Sequence, residues 1–407
     1  MSSAETKELH PDENLAMGDL GATIVRVGGV IGLLGLIAAA VLGQMTGWSR
    51  FFHSYLVSFG FYLSIALGAT FFVLIQHQVR AAWSVVVRRL AEVLTQTLWL
   101  LALLFLVIAV PLLLGYDGLY SWVSSGDHLV KAKQGFLNAP FFLVRAVIYF
   151  AVWIFITRHF YRSSIAQDES ADPAISEKLR RAAAPSIIAY AFATCYASFD
   201  FLMSLHPAWY STIFGIYFFA GCAISIMASL VLIGLWLQRK GRLVHSITVE
   251  HYHDLGKLLF GFIFFWGYIA FSQFMLIWYA DLPEETAWYR PRMATNWSWL
   301  SLVMLFGHLA IPFVCLLSRQ TKRRLVLLAG FATWMLGMHY LDLYWIVMPE
   351  QSPAGFQFSV ANIAMDVANF IGIGGLFVAY AAREAGRVRL LPVKDPRLAT
   401  SLGFENV

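Results

Sequence analysis

The chain has 407 residues, of which 59% are hydrophobic and 13% charged, and its formal net charge is +5. A soluble domain carries about twice that share of charge. Apolar runs longer than about 18 residues recur along the whole chain, which excludes a soluble globular fold and a barrel of short alternating strands.

The first residues are acidic, with Lys7 the one cation before Arg26. They do not resemble the basic start of a cleaved signal peptide, so 1–20 is expected to be retained as a short cytoplasmic segment. Ten transmembrane helices are predicted at 21–43, 52–76, 91–115, 139–157, 183–205, 211–237, 256–280, 295–318, 324–347 and 359–382. The fold class is therefore an all-α integral membrane protein, with a membrane domain over 21–382 and a basic cytoplasmic tail over 383–407.

Lys and Arg sort by side. One alternating set of segments holds Arg80, Arg88 and Arg89; Arg158, Arg162, Lys178, Arg180 and Arg181; Arg239, Lys240 and Arg242; Arg319, Lys322, Arg323 and Arg324; and the cations of the tail. The other set holds only Arg50, Lys131, Lys133, Arg290 and Arg292. Cations favour the inner side, so both termini are expected to be cytoplasmic. These cations set orientation and are no nucleic-acid footprint. Residues 116–138 read as an outer loop with Trp122 along the interface, and 158–182 as the largest inner loop. The tail is expected to lie on inner-leaflet lipid or on a partner.

A polar signature is written twice, as Asp200-Phe-Leu-Met-Ser-Leu-His-Pro207 and Asp342-Leu-Tyr-Trp-Ile-Val-Met-Pro349. Phe59-Gly-Phe-Tyr62 is likewise echoed by Phe214-Gly-Ile-Tyr217. The echoes pair spans 2–5 with spans 6–9, as two four-helix bundles in one orientation flanked by spans 1 and 10. An ionisable group inside a membrane span is a functional-site candidate, because it costs roughly 3 kcal/mol at the bilayer centre. His53, Arg145, Asp200, His206, Gln273, His339, Asp342 and Asp366 all fall in or near the outer third. Asn362, Asp366 and Asn369 share one helix face, as do His339 and Asp342. Two readings stand: interhelical hydrogen bonds that join the bundle, or a proton- or quinone-related cavity, favoured for the aspartates with Arg145 and His339.

On the inner side, Glu92, Asp254 and Lys257, with His253, read either as a proton entry or as solvated helix ends. Tyr268, Ser272 and His308 lie between the two zones as candidate relay groups. Cys195, Cys222 and Cys315 are isolated within spans, so the cysteines support neither a zinc site nor an iron–sulfur cluster, and no metal is expected. His308 and His339 differ in predicted depth by several residues, which argues against a haem held between them.

The stretch from His253-Asp-Leu-Gly-Lys257 through Phe271-Ser-Gln-Phe274 to Trp288-Tyr-Arg290 resembles the membrane subunits of bacterial alternative complex III, within the NrfD-like, polysulfide-reductase-like superfamily. The length is similar to that of the shorter, ActF-type subunit, and the resemblance extends over all ten spans. It implies two four-helix bundles and a quinol:electron-acceptor oxidoreductase in a bacterial inner membrane. This chain would carry no cofactor of its own. An ActC-like membrane subunit, iron–sulfur subunits and multihaem subunits would be its partners, and quinol a possible substrate. The superfamily's quinol site lies near the outer face of the first bundle, where Asp200 and His206 are the positions to compare. A secondary transporter is the alternative, disfavoured by spans that read as unbroken. A purely structural anchor is the third reading.

Overall fold

A computed structural model describes residues 8–406. Residues 1–7 of the expected N-terminal segment, with Lys7, lie outside the described residues. The chain is an all-α integral membrane protein, with ten helices among the described residues long and apolar enough to cross a membrane: α1 Gly18–Thr46, α2 Trp48–Gln78, α3 Val85–Leu113, α4 Ala139–Ser170, α5 Pro173–Leu205, α6 Phe214–Arg239, α7 Val249–Ala280, α8 Ser298–Leu317, α9 Leu325–Gln351 and α10 Val360–Ala385.

Helices α2–α5 pack as one four-helix bundle and α6–α9 as a second. The shared wall is α2 against α6, with α5 and α9 touching it from either side. Burial follows from that placement: 89% of the most apolar window of α2 is buried, against 11% in α1. The wall is tight because Gly68 of α2 meets the backbone carbonyl of Cys222 on α6, where any side chain would collide. Outside the bundles α1 lies along α10 through small residues. A Cβ at Gly35 would fall 2.7 Å from the backbone of Gly372, so leucine there would force the helices apart.

Four expectations are corrected. The inner loop 158–182 is almost entirely helical: α4 runs to Ser170 and α5 starts at Pro173. Pro173 opens a helix because its missing N–H falls where none is needed, and the Asp172 carboxylate accepts from the Ala174 N–H at 2.8 Å. Trp122 is buried against Tyr120 and Phe142 and does not lie along the interface.

The spans are not all continuous. Helix α3 breaks near Gln96 and again at Phe105, and the hydroxyls of Thr95 and Thr97 bond back to the carbonyls of Glu92 and Leu94 at 2.6 Å. In α8 the turns widen to a π-helix over Met304–Ala310. The ring of Pro312 follows, and it can neither donate to nor clear the carbonyl of His308 four residues back.

The fourth correction concerns the tail. Leu390, Leu391, Leu398 and Leu402 are interleaved with its cations and are buried. The tail therefore crosses the terminal face of the molecule and does not lie free on lipid. The Leu390 N–H donates to the Leu15 carbonyl, the Ser401 hydroxyl donates to the Trp83 carbonyl, and Asn406 bonds to Glu250. It clasps the first bundle to the second.

Candidate functional site

The ionisable groups of the membrane interior fall into three constellations. In the first bundle, the Asp200 carboxylate is fully buried on α5. Arg145 of α4 donates to both its oxygens at 2.8 Å, and the Tyr149 hydroxyl donates at 2.6 Å. The guanidinium also donates to the Phe136 carbonyl and lies 3.8 Å from the Phe136 ring. Every charge here has its counter-charge. A cavity of about 440 Å³ lies nearby, lined by Lys133, Phe136, Met203, Ser204, Pro207 and Tyr210, and neither Asp200 nor His206 lines it. Burial holds the Lys133 ammonium below its usual value.

The second constellation joins the bundles at the face away from the termini. His206 Nδ1 donates to Glu350 at 2.9 Å, so it turns to α9 while Asp200 turns to α4. Arg292 donates to Glu350 and to the carbonyls of Trp345 and Ile346. The Trp345 carbonyl is the one whose helical donor Pro349 removes, so Arg292 repairs the helix that Pro349 interrupts. Arg50 donates to Asp366 at 2.6 Å, and Asn369 donates to the Ser54 hydroxyl at 3.0 Å. The polar face of α10 is thus bonded to α2. Neither Arg292 nor Glu350 was singled out as a site residue, because both stand near helix ends where charge is ordinary. The nearby proline was the available signal.

The third constellation lies inside the second bundle. Asp342 of α9 accepts from the Tyr217 hydroxyl of α6 and from Trp266 Nε1 of α7, the latter at 3.2 Å. His339, one turn away, and His308 in the widened segment of α8 complete it. One ligand atom from each of the three residues lies within 4.8 Å of the others.

The His339 tautomer follows from its surroundings. The Ser64 hydroxyl donates to the Phe61 carbonyl at 2.7 Å, so its oxygen accepts from His339 Nε2 at 2.8 Å. Nδ1 is left as a bare lone pair without a protein partner. His308 is fully buried, stacked on Trp266 with ring centroids 3.8 Å apart, and neither of its ring nitrogens has a partner. Among the described residues no Lys or Arg pairs with Asp342.

This meeting corrects the expected depths. With α8 starting at Ser298 and α9 running on to Gln351, His308 and His339 lie about 15 and about 18 Å along their helices from the far face, at ~1.5 Å per residue. The depth argument against a haem therefore falls. His308 is stacked on Trp266 and His339 packs against Gly221, so both rings are held by close contacts.

The remaining candidates separate. Tyr268 is 61% exposed on the outside of α7, and Ser272 is half-buried one turn on, so Tyr268 is no relay to the interior. Asp254 pairs with Lys257 at 2.5 Å on the terminal face, where Lys257 also donates to Asn406. Glu92 is not a solvated helix end. The helix starts at Val85, which places Glu92 two turns inside, fully buried and paired with Arg88 and Arg89. Arg88 also reaches Asp395 of the tail at 2.5 Å, and Arg89 reaches Asp168 of α4 at 2.8 Å. Burial raises the Asp395 carboxyl, but the Arg88 charge and hydrogen bond outweigh it and hold the group at about 2.

No protein-family model matches this chain, and a search of curated proteins finds no match either.

Proposed function

We propose that this chain is a membrane subunit of a quinol:electron-acceptor oxidoreductase complex of the alternative complex III type, in which it handles protons and anchors partner subunits. The observation that carries the proton role is the Asp342–His308–His339 cluster. It has a carboxylate with no counter-cation, a histidine nitrogen without a partner and a histidine with two unpartnered nitrogens. A buried carboxylate without a cation is strongly disfavoured, so the cluster invites a positive charge. Oxidising a quinol releases two protons, and such groups can receive and pass them. Asp200 already has its counter-charge in Arg145.

The resemblance of the 253–290 stretch supports the assignment to a redox complex, with iron–sulfur clusters and haems on partner subunits. The test uses the assembled complex purified from its host and reconstituted in vesicles. Asp342→Asn should assemble, because the amide oxygen can accept from Trp266 and its NH2 donate to the Tyr217 hydroxyl oxygen, while proton release per quinol oxidised falls at least severalfold. Wild-type proton release and turnover in assembled Asp342→Asn complex would end the proton reading.

A secondary transporter remains the second reading, and the widened turn of α8 beside a polar cluster is the observation that favours it. Purification of the chain from its host without redox-active partners, together with substrate-driven uptake in vesicles, would select that reading.

A further inference from the structure

The cluster in the second bundle is built like a metal site as much as like a proton site. Three of its features bear on this. The first is the donor set. Two imidazoles and one carboxylate with an open fourth position suit zinc and its neighbours among the transition-metal dications.

The second feature is the outer shell. Ligating histidines usually commit their other ring nitrogen to a hydrogen bond that fixes tautomer and orientation. His339 does this through Ser64, which leaves Nδ1 as a lone pair without a protein partner. Asp342 is held by Tyr217 and Trp266. A carboxylate and two imidazoles gathered in a buried space favour a positive charge among them.

The third feature is His308. A fully buried ring with both nitrogens unpartnered is disfavoured, since a buried polar atom without a partner loses its hydration and gains nothing. The ring is presented by the widened π segment, a backbone form that recurs at functional positions.

We propose that His308, His339 and Asp342 form a binding site for one redox-inert transition-metal dication of the Zn²⁺ class. Metal–ligand bonds of roughly 2.0–2.1 Å place tetrahedral ligand atoms roughly 3.3 Å apart. The present spacing, within 4.8 Å, lets the rings close on the ion by small side-chain rotations. A tetrahedral ion held by three protein ligands keeps its fourth position for water. The inference rests on the donor set and its outer shell, not on quinol chemistry.

The experiment uses the full-length chain, purified in detergent and stripped with a chelator, with Zn²⁺ and Co²⁺ as probes. The stacked pair His10 and His245 on the terminal face is replaced by alanine in every sample, so that it cannot bind the probe. One Zn²⁺ per chain should bind, and Co²⁺ should give the intense visible absorption of a tetrahedral site. His308→Gln and His339→Gln should each weaken binding at least ~100-fold. Ser64→Ala, which removes only the outer-shell partner of His339, should weaken it roughly 10-fold.

Ser64→Ala removes no ligand and serves where a histidine variant fails to fold. A folded chain that binds no stoichiometric Zn²⁺ overturns the proposal, as does binding unchanged in both histidine variants or in Ser64→Ala. The proton reading is judged separately. Metal binding with unchanged proton release in Asp342→Asn complex removes that reading and leaves this one, and the converse pattern does the reverse.

Discussion

Asp200 and Asp342 occupy the same place in a repeated sequence signature, yet their side chains meet opposite conditions. Asp200 is gripped by Arg145 and Tyr149, whereas Asp342 faces only neutral donors and two histidines. The difference lies in what the neighbouring helices present, not in the aspartates. It separates the consequences of one chemical change. Asp200→Asn leaves Arg145 buried without its counter-charge and should destabilise the chain by roughly 3–5 kcal/mol. Replacing both partners, as in Arg145→Met with Asp200→Leu, should recover much of that loss, because well-packed apolar groups need no pairing. Unfolding of the purified chain in a graded detergent–denaturant mixture measures both. Equal stability of Asp200→Asn and wild type would show that the pair contributes nothing.

Among the elements, the tail departs furthest from its expected role. Its cations suggest a segment lying on lipid or on a partner, but four leucines and Asp395 bind it to the terminal face. Asp395 titrates at about 2, below the ordinary aspartate value of roughly 3.9. A lowered carboxylate contributes stability that is fully present above the unfolded value and is lost as pH falls through the folded one. The tail should therefore stay docked above about pH 4 and loosen between about pH 4 and 2. Hydrogen exchange of the backbone over 390–402 reads this directly. Asp395→Asn should raise exchange already at neutral pH and remove the acid dependence. Protection unchanged from pH 4 to 2 in the wild type would show that another contact holds the tail.

At the scale of the whole molecule, the first and last described segments meet at one face, as ten crossings require. The distribution of Lys and Arg motivates the proposal that this face is cytoplasmic in a bacterial inner membrane. Single cysteines at Gln320 and Ala354, both exposed, test it in a chain whose Cys195, Cys222 and Cys315 are replaced by alanine. An impermeant thiol reagent added to intact cells should label position 354 and spare 320. The opposite pattern would invert the orientation.

Local chemistry made the ten spans legible without coordinates, because a bilayer-length apolar helix is a property of one contiguous segment. The pairing of spans 2–5 with 6–9 was legible too, through a repeat that two matched aspartates mark. Which aspartate finds an arginine was not, since Arg145 and Asp200 lie on different helices and only bundle packing brings them together. The meeting of His308 with His339 was hidden for a related reason. Their depths depend on where α8 starts and α9 ends, and a shift of a few residues at those ends moves each ring by a full turn. Glu92 reads as a solvated helix end because charge near a helix end usually is solvated. It is buried beside Arg88, which Asp395 of the tail meets in turn, a contact between segments some three hundred residues apart in sequence that no local pattern encodes.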